Sequence, residues 1–290
     1  MACGAVLFAL MGFFARLASA HVSWTLVAAS RAAIGAAVAI GVARLRRAPM
    51  RVHDRRGIWA RSLFGTVSML CTFYAVGSPA ISLGDSTTLV NLTPIFLAIL
   101  GPFLLRERSG KRVALALPLS AIGVVLILRP AFLFGAANAP LSPAGKLAAG
   151  AAVAGALSSA FAMVMLRKMG PRESPEAIAI HFSLTASVLL GILSIPHLVV
   201  PRTRDVFCIG AAGLAAGLAQ LAMTRAYALE QAARVSGIGY LSVVTSAALG
   251  ALALHEWPDR GALAGMALVI AGGLVVTVAG LREGKSAAPQ

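Results

Sequence analysis

Apolar runs of roughly 20 residues, about the length needed to cross a hydrocarbon core of about 30 Å, follow one another along the chain with short polar breaks between them. They predict ten helices, over 2–20, 24–43, 58–78, 84–105, 112–129, 146–166, 175–197, 205–228, 232–254 and 261–281, leaving almost nothing for a soluble domain. The fourth run departs from the pattern, opening GDSTTLVNLTP between the apolar stretches VSMLCTFYAV and IFLAILGPFLL. On a helix Thr87, Thr88 and Asn91 share one face, and Pro94 removes a backbone donor within the same span. The eighth run carries a second polar stripe, Gln220, Thr224 and Tyr227, continued by Gly217 and Gly213. A polar face beside a weakened hydrogen-bond ladder is tolerated in lipid only where it lines protein or a water-filled cavity. The two stripes are therefore expected to face each other across a substrate cavity, with Tyr240 and Ser242 of the ninth run beside them and Thr72 and Tyr74 at its margin. The alternative is that these groups bond between tightly packed helices.

Composition places the chain in the membrane. Of 290 residues, 59% are hydrophobic and 12% charged, and mean hydropathy is +0.86. The first run ends Ala18-Ser19-Ala20, like a leader-cleavage site, but it has no charged leading region and Arg16 interrupts it, so it reads as a span. Only Met1 precedes that span, which is consistent with a misplaced start codon. Cys3, Cys71 and Cys208 share no close spacing and point to neither a disulfide framework nor a metal site. The formal net charge of +15 would suggest nucleic acid in a soluble protein, but its placement argues otherwise. The connections at 44–56, 106–112 and 167–172 and the tail at 282–285 hold fifteen Lys and Arg, whereas 129, 146, 202–204 and 260 hold five. The positive-inside rule then puts both termini in the cytoplasm, with no nucleic-acid partner and the RLRRAPMRVHDRR loop lying against anionic headgroups.

The chain also repeats itself. At an offset of 149, Glu107 falls on Glu256 and Gly123 on Gly272, and more loosely Phe73-Tyr74-Ala75 overlies Ala226-Tyr227-Ala228. Five spans per half is an odd number, so the second half must enter the membrane inverted, an architecture common among secondary transporters. The expected organisation is all-α integral membrane: ten transmembrane helices as two inverted five-helix repeats, 1–130 and 144–281, and a cytoplasmic tail at 282–290. The order FALMGFFARLASAHVSWTLVAASRAAIGA, FYAVGSPAISLGDSTTLVNLTPIFLAILGPFLLRE and AIGVVLILRP, with AYALEQAARVSGIGYLSVVTSAALGALALHE and VIAGG in the second half, resembles the drug/metabolite transporter superfamily, EamA-type. The resemblance implies a ten-helix transporter of small metabolites whose third and fourth helices in each half, with the first, surround a central cavity. One departure is that Tyr240-Leu241-Ser242 is followed by Val243, where the family usually has proline.

Ionisable groups within spans need a reason, because each costs several kcal/mol at the bilayer centre. Arg31, about 11 Å into the second span at 1.5 Å per residue, is too deep for easy snorkelling and is read as a cavity residue, with a clamp on backbone carbonyls as the alternative. His181 at the mirrored depth and Asp85 at the outer start of the fourth span are candidates for proton coupling, though packing and helix capping are the simpler readings. Arg16 and Arg225 are expected to snorkel, Glu107 and Glu256 to meet helix N-termini, and Glu230 to pair with Arg234 on a helix surface. No phosphate-binding loop is present and His255-Glu256 lacks a second histidine, so ATP hydrolysis and zinc protease chemistry are set aside. The function expected is a secondary transporter, not an enzyme, needing no cofactor or metal. Its partners are the lipid bilayer and a small-molecule substrate, by preference an amino acid or related organic anion, exported by alternating access. A membrane-embedded lipid enzyme and an importer of nucleoside-like metabolites or vitamins are the alternatives, and oligomeric state is left open. Arginine outnumbers lysine 21 to 4, suggesting a GC-rich bacterium and its inner membrane.

Overall fold

The computed structural model describes residues 1–19, 21–49, 52–81, 83–106, 110–128, 133, 142–254, 257 and 259–286. Their α-helices are α1 (Ala2–Ala18), α2 (Trp24–Leu45), α3 (Arg55–Gly77), α4 (Leu83–Val90), α5 (Thr93–Leu104), α6 (Lys111–Leu128), α7 (Pro143–Met169), α8 (Pro175–Ser194), α9 (Thr203–Leu229), α10 (Ala232–Gly239), α11 (Leu241–Leu254) and α12 (Arg260–Ser286). By length and composition six stretches can cross a membrane: Trp24–Leu45, Asp85–Leu104, Pro143–Met169, Pro175–His197, Thr203–Leu229 and Ala232–Ala253. Ala2–Ala18, Ala114–Leu128 and Arg260–Val275 are shorter apolar helices. Large apolar side chains such as Phe103, Leu115, Phe207 and Leu252 point outward, as a lipid-facing surface requires.

Helix starts follow local chemistry. Side chains of Ser23, Asp54, Ser142, Ser174 and Asp259 accept from backbone N–H groups of the first turns of α2, α3, α7, α8 and α12, satisfying donors that a helix leaves orphaned. In α7 and α8 the capping serine is followed by Pro143 and Pro175, whose missing N–H costs nothing in a first turn. Two expectations are corrected here. The fourth and ninth spans are not continuous: the former breaks at Asn91–Leu92 into α4 and α5, the latter at Tyr240 into α10 and α11.

The packing exchanges roles between the two halves. α3 packs on α7 as α9 packs on α1, and α3 touches α8 as α9 touches α2. α2 lies against α8, and α6 against α12, each helix meeting its counterpart. The α6–α12 crossing is close because glycines face it: a Cβ at Gly123 would lie 2.6 Å from the Gly265 carbonyl, and one at Gly272 3.1 Å from that of Ala116. The core is correspondingly alanine-rich, with Ala148, Ala152, Ala156 and Ala160 of α7 wholly buried.

Candidate functional site

The two helix breaks meet. Tyr240 Oη donates to the Asn91 carbonyl (3.1 Å), and these residues are 149 positions apart, the same offset that relates the repeats. At the first break Asn91 Nδ2 donates to the Thr87 carbonyl (2.8 Å). Pro94 does not stand mid-helix, as expected, but in the first turn of α5, where a missing N–H is harmless. The carbonyl that this residue would otherwise have engaged, that of Val90, accepts from Thr93 Oγ1 (3.1 Å), which also reaches the Ala156 carbonyl of α7 (3.3 Å). At the second break no proline is involved. Ser242 Oγ donates to Gly239 O (2.8 Å) and Ser236 Oγ to Ala233 O (3.0 Å), bringing hydroxyls onto backbone groups around an interrupted ladder. Asp85, Ser86 and Thr88 of α4 are buried, with Asp85 in the first turn.

In the α9 stripe the polar groups bond within their own helix. Gln220 Nε2 donates to Thr224 Oγ1 (3.3 Å), which donates to Gln220 O (2.7 Å), and both are buried. Tyr227 is buried among Leu97 of α5, Met163 of α7 and Val235 of α10. Gly213 and Gly217 do not extend this stripe, a correction to the sequence reading: a Cβ on them would lie 2.6 Å from Ile34 Cβ and 2.8 Å from Val38 Cβ, so they seat α2.

Arg31 and Arg61 hold buried guanidinium nitrogens with no carboxylate partner among the described residues. Arg31 donates through Nη1 to Met11 Sδ (2.9 Å) and through Nη2 to Met69 Sδ (2.8 Å), and its guanidinium lies 5.5 Å from the Phe73 ring centroid. Its Nε is buried and unpartnered, and among the described residues sulfur atoms rather than backbone carbonyls accept from it, against the alternative reading of a clamp. Arg61 of α3, which the sequence reading passed over, is 1% exposed, with Nε and Nη1 both unpartnered. Its guanidinium rests 4.4 Å from the Phe182 ring centroid and within electrostatic reach of Tyr227. Gly65, one turn on, makes the room: a Cβ there would come 2.8 Å from the Phe182 ring. The signal available in GIWARSLFG was a cation inside an apolar run with glycine four positions later. Arg31 reaches α3 at Met69, eight positions after Arg61 and about 12 Å further along that helix at 1.5 Å per residue.

His181, Arg225 and Glu230 each meet a protein partner. His181 Nδ1 hydrogen-bonds Ser62 Oγ (2.8 Å) with its ring edge-on to Trp59. Arg225, expected to snorkel, instead forms an ion pair with the buried Glu176, because α8 brings that carboxylate against it. Glu230 does pair with Arg234 (3.4 Å), across the α9–α10 junction, with Arg234 buried. Glu107 and Glu256 lie outside the described residues. No cluster of His, Cys, Asp or Glu able to hold a metal occurs among the described residues.

Comparisons give this arrangement a family. The sequence model of the EamA-like transporter family matches residues 1–129 and again 146–278. The pseudopaline exporter CntI of Pseudomonas aeruginosa is 28% identical over 279 residues, covering 94% of this chain and 90% of its own. Solute carrier family 35 member G1 of Homo sapiens is 28% identical over 226 residues, covering 73% and 59%. A crystal structure at 20% identity superposes with a TM-score of 0.76 over 95% of this chain and 96% of its own, which shows a shared fold. With both halves matched and broken helices meeting at equivalent positions, the chain belongs to the EamA-like transporter family of the drug/metabolite transporter superfamily and is a multi-pass membrane transporter of small metabolites.

Proposed function

We propose that the protein exports an anionic small metabolite, an amino acid or related organic anion, across a bacterial inner membrane by alternating access. The observation that carries the substrate class is the pair Arg31 and Arg61, two inward-facing cations with no carboxylate partner. A buried guanidinium left unneutralised is expensive, and an arriving carboxylate would supply the missing charge together with paired hydrogen bonds. Export is supported by the likeness to the pseudopaline exporter of Pseudomonas aeruginosa. In this reading the halves 1–130 and 144–281 rock about the contact between the two breaks. Thr87, Thr88 and Asn91, with Gln220, Thr224, Tyr227, Tyr240 and Ser242, contribute polar groups to the cavity, and His181 and Asp85 are candidates for carrying a coupled proton. Both termini face the cytoplasm.

Purified protein in liposomes, preloaded with a panel of amino acids and di- and tricarboxylates, tests this by counterflow. An anion should accelerate its own exchange, and Arg61→Gln or Arg31→Gln should lower that exchange at least about tenfold, the effect of losing about 1.4 kcal/mol, with normal membrane abundance. Thr88→Val and Gln220→Leu should alter apparent affinity or preference rather than abundance. Exchange of neutral or cationic metabolites alone, untouched by either arginine variant, would overturn the anion reading and leave the transporter assignment standing.

A further inference from the structure

The end of α2 carries a second group of basic residues, Arg44, Arg46 and Arg47. Its terminal carbonyls are satisfied by the main chain: Arg46 N–H donates to Val42 O (3.0 Å), Arg47 N–H to Arg44 O (3.2 Å) and Ala48 N–H to Ala43 O (2.9 Å). This is the Schellman arrangement, and Arg47, with φ of 51°, occupies the left-handed position where glycine is the usual residue. Neither the backbone nor the cap therefore calls for an arginine side chain here.

Arg44 and Arg47 instead line a cavity of about 500 Å³ between α2 and α8, whose remaining wall is Ile40, Ala43, Ala48 and Ile180. Neither arginine has a carboxylate partner among the described residues, and the two acids at the facing end of α8 are already engaged. Glu173 accepts from the His53 and Asp54 N–H groups (2.6 and 2.5 Å), and Glu176 holds Arg225. The level in the bilayer is marked by neighbours: Leu45 is 86% exposed beside the arginines, and Trp59, half exposed, packs against His181 next to Ile180. An exposed tryptophan and leucine beside arginines are what the boundary between headgroups and acyl chains selects.

We propose that this cavity binds the headgroup of an anionic phospholipid, its phosphodiester held between the Arg44 and Arg47 guanidinium groups and its glycerol end laid on Ile40, Ala43, Ala48 and Ile180. The apolar wall favours lipid over free phosphate, since an inorganic anion gains nothing from aliphatic contacts and would lose hydration to them. A lipid there bridges α2 and α8, the helix pair through which the two halves meet near this surface.

Native mass spectrometry of the full chain in mild detergent, titrated with phosphatidylglycerol, phosphatidylcholine or inorganic phosphate, tests the site. Wild type should retain phosphatidylglycerol in preference to phosphatidylcholine, and phosphate should not displace it. Arg44→Gln and Arg47→Gly should each weaken retention about fivefold, the worth of one basic residue at an anionic surface, while Arg46→Gln, outside the cavity, should leave it unchanged. Arg47→Gly also suits the backbone, so loss of fold does not confuse its result. Equal retention of both lipids, displacement by phosphate, or equal weakening by Arg46→Gln would each overturn the proposal, and the wild-type titrations decide the first two without any variant.

Discussion

At the scale of the residue, the unusual element is Arg61. An arginine at 1% exposure in a membrane protein is held in place by what surrounds it: a ring face from Phe182, and space kept open by the absent side chain at Gly65. That space gives a stability prediction separate from transport. Gly65→Ala puts a methyl 2.8 Å from the Phe182 ring, and overpacking of this kind costs about 1–3 kcal/mol. The thermal midpoint in detergent should fall. Gly150→Ala in α7, where a Cβ meets nothing within 4 Å, should leave that midpoint unchanged or raise it, since alanine suits a helix better by about 0.5–1 kcal/mol. If both variants behave alike, the space at Gly65 is not being used to seat the arginine.

At the scale of the element, the broken helices differ in how visible they are in sequence. The fourth span announces itself, because Thr87, Thr88, Asn91, Thr93 and Pro94 crowd one short stretch and Pro94 forbids a continuous ladder. The ninth carries no proline, and its only local hints are Gly237 and Gly239 ahead of Tyr240. Its break is made by tertiary context: Tyr240 is buried against Leu117, Val124 and Val269 of α6 and α12, and its hydroxyl is drawn to the Asn91 carbonyl. Tyr240→Phe should therefore cost about 1 kcal/mol, the net worth of one hydrogen bond, while preserving the packing of the ring. Amide exchange should accelerate around 237–243 and around 91–95 together. Acceleration at one break alone would mean that the bond does not couple them.

At the scale of the whole molecule, the two halves are joined by like meeting like, α2 with α8 and α6 with α12, so the inverted repeat is a statement about packing as well as descent. Orientation in the bilayer rests on charge. With fifteen basic residues on one set of connections and five on the other, the positive-inside rule predicts both ends of the chain on the same side and the 130–143 connection opposite them. Reporter fusions at residue 290 and within 130–143 should report opposite compartments. A common compartment for both would require an odd number of crossings to be lost or gained and would undo the inverted arrangement.

The sequence by itself determined the class, the apolar runs and the repeat offset of 149, because each of these depends on residues near one another along the chain or on a repeated pattern. It could not determine which helix each polar group would face. Glycines at 213 and 217 looked like part of a polar stripe, yet they seat Ile34 and Val38, since which side of a helix meets which neighbour is set by the packing of all ten runs at once. The same holds for Arg225, whose carboxylate arrives from α8, 49 positions away, and for Arg61, where an ordinary-looking cation in an apolar run becomes a fully enclosed one only when α3, α8 and α9 close around it. Periodicity is local and legible; the partner a side chain meets across the bundle is decided only by the tertiary structure.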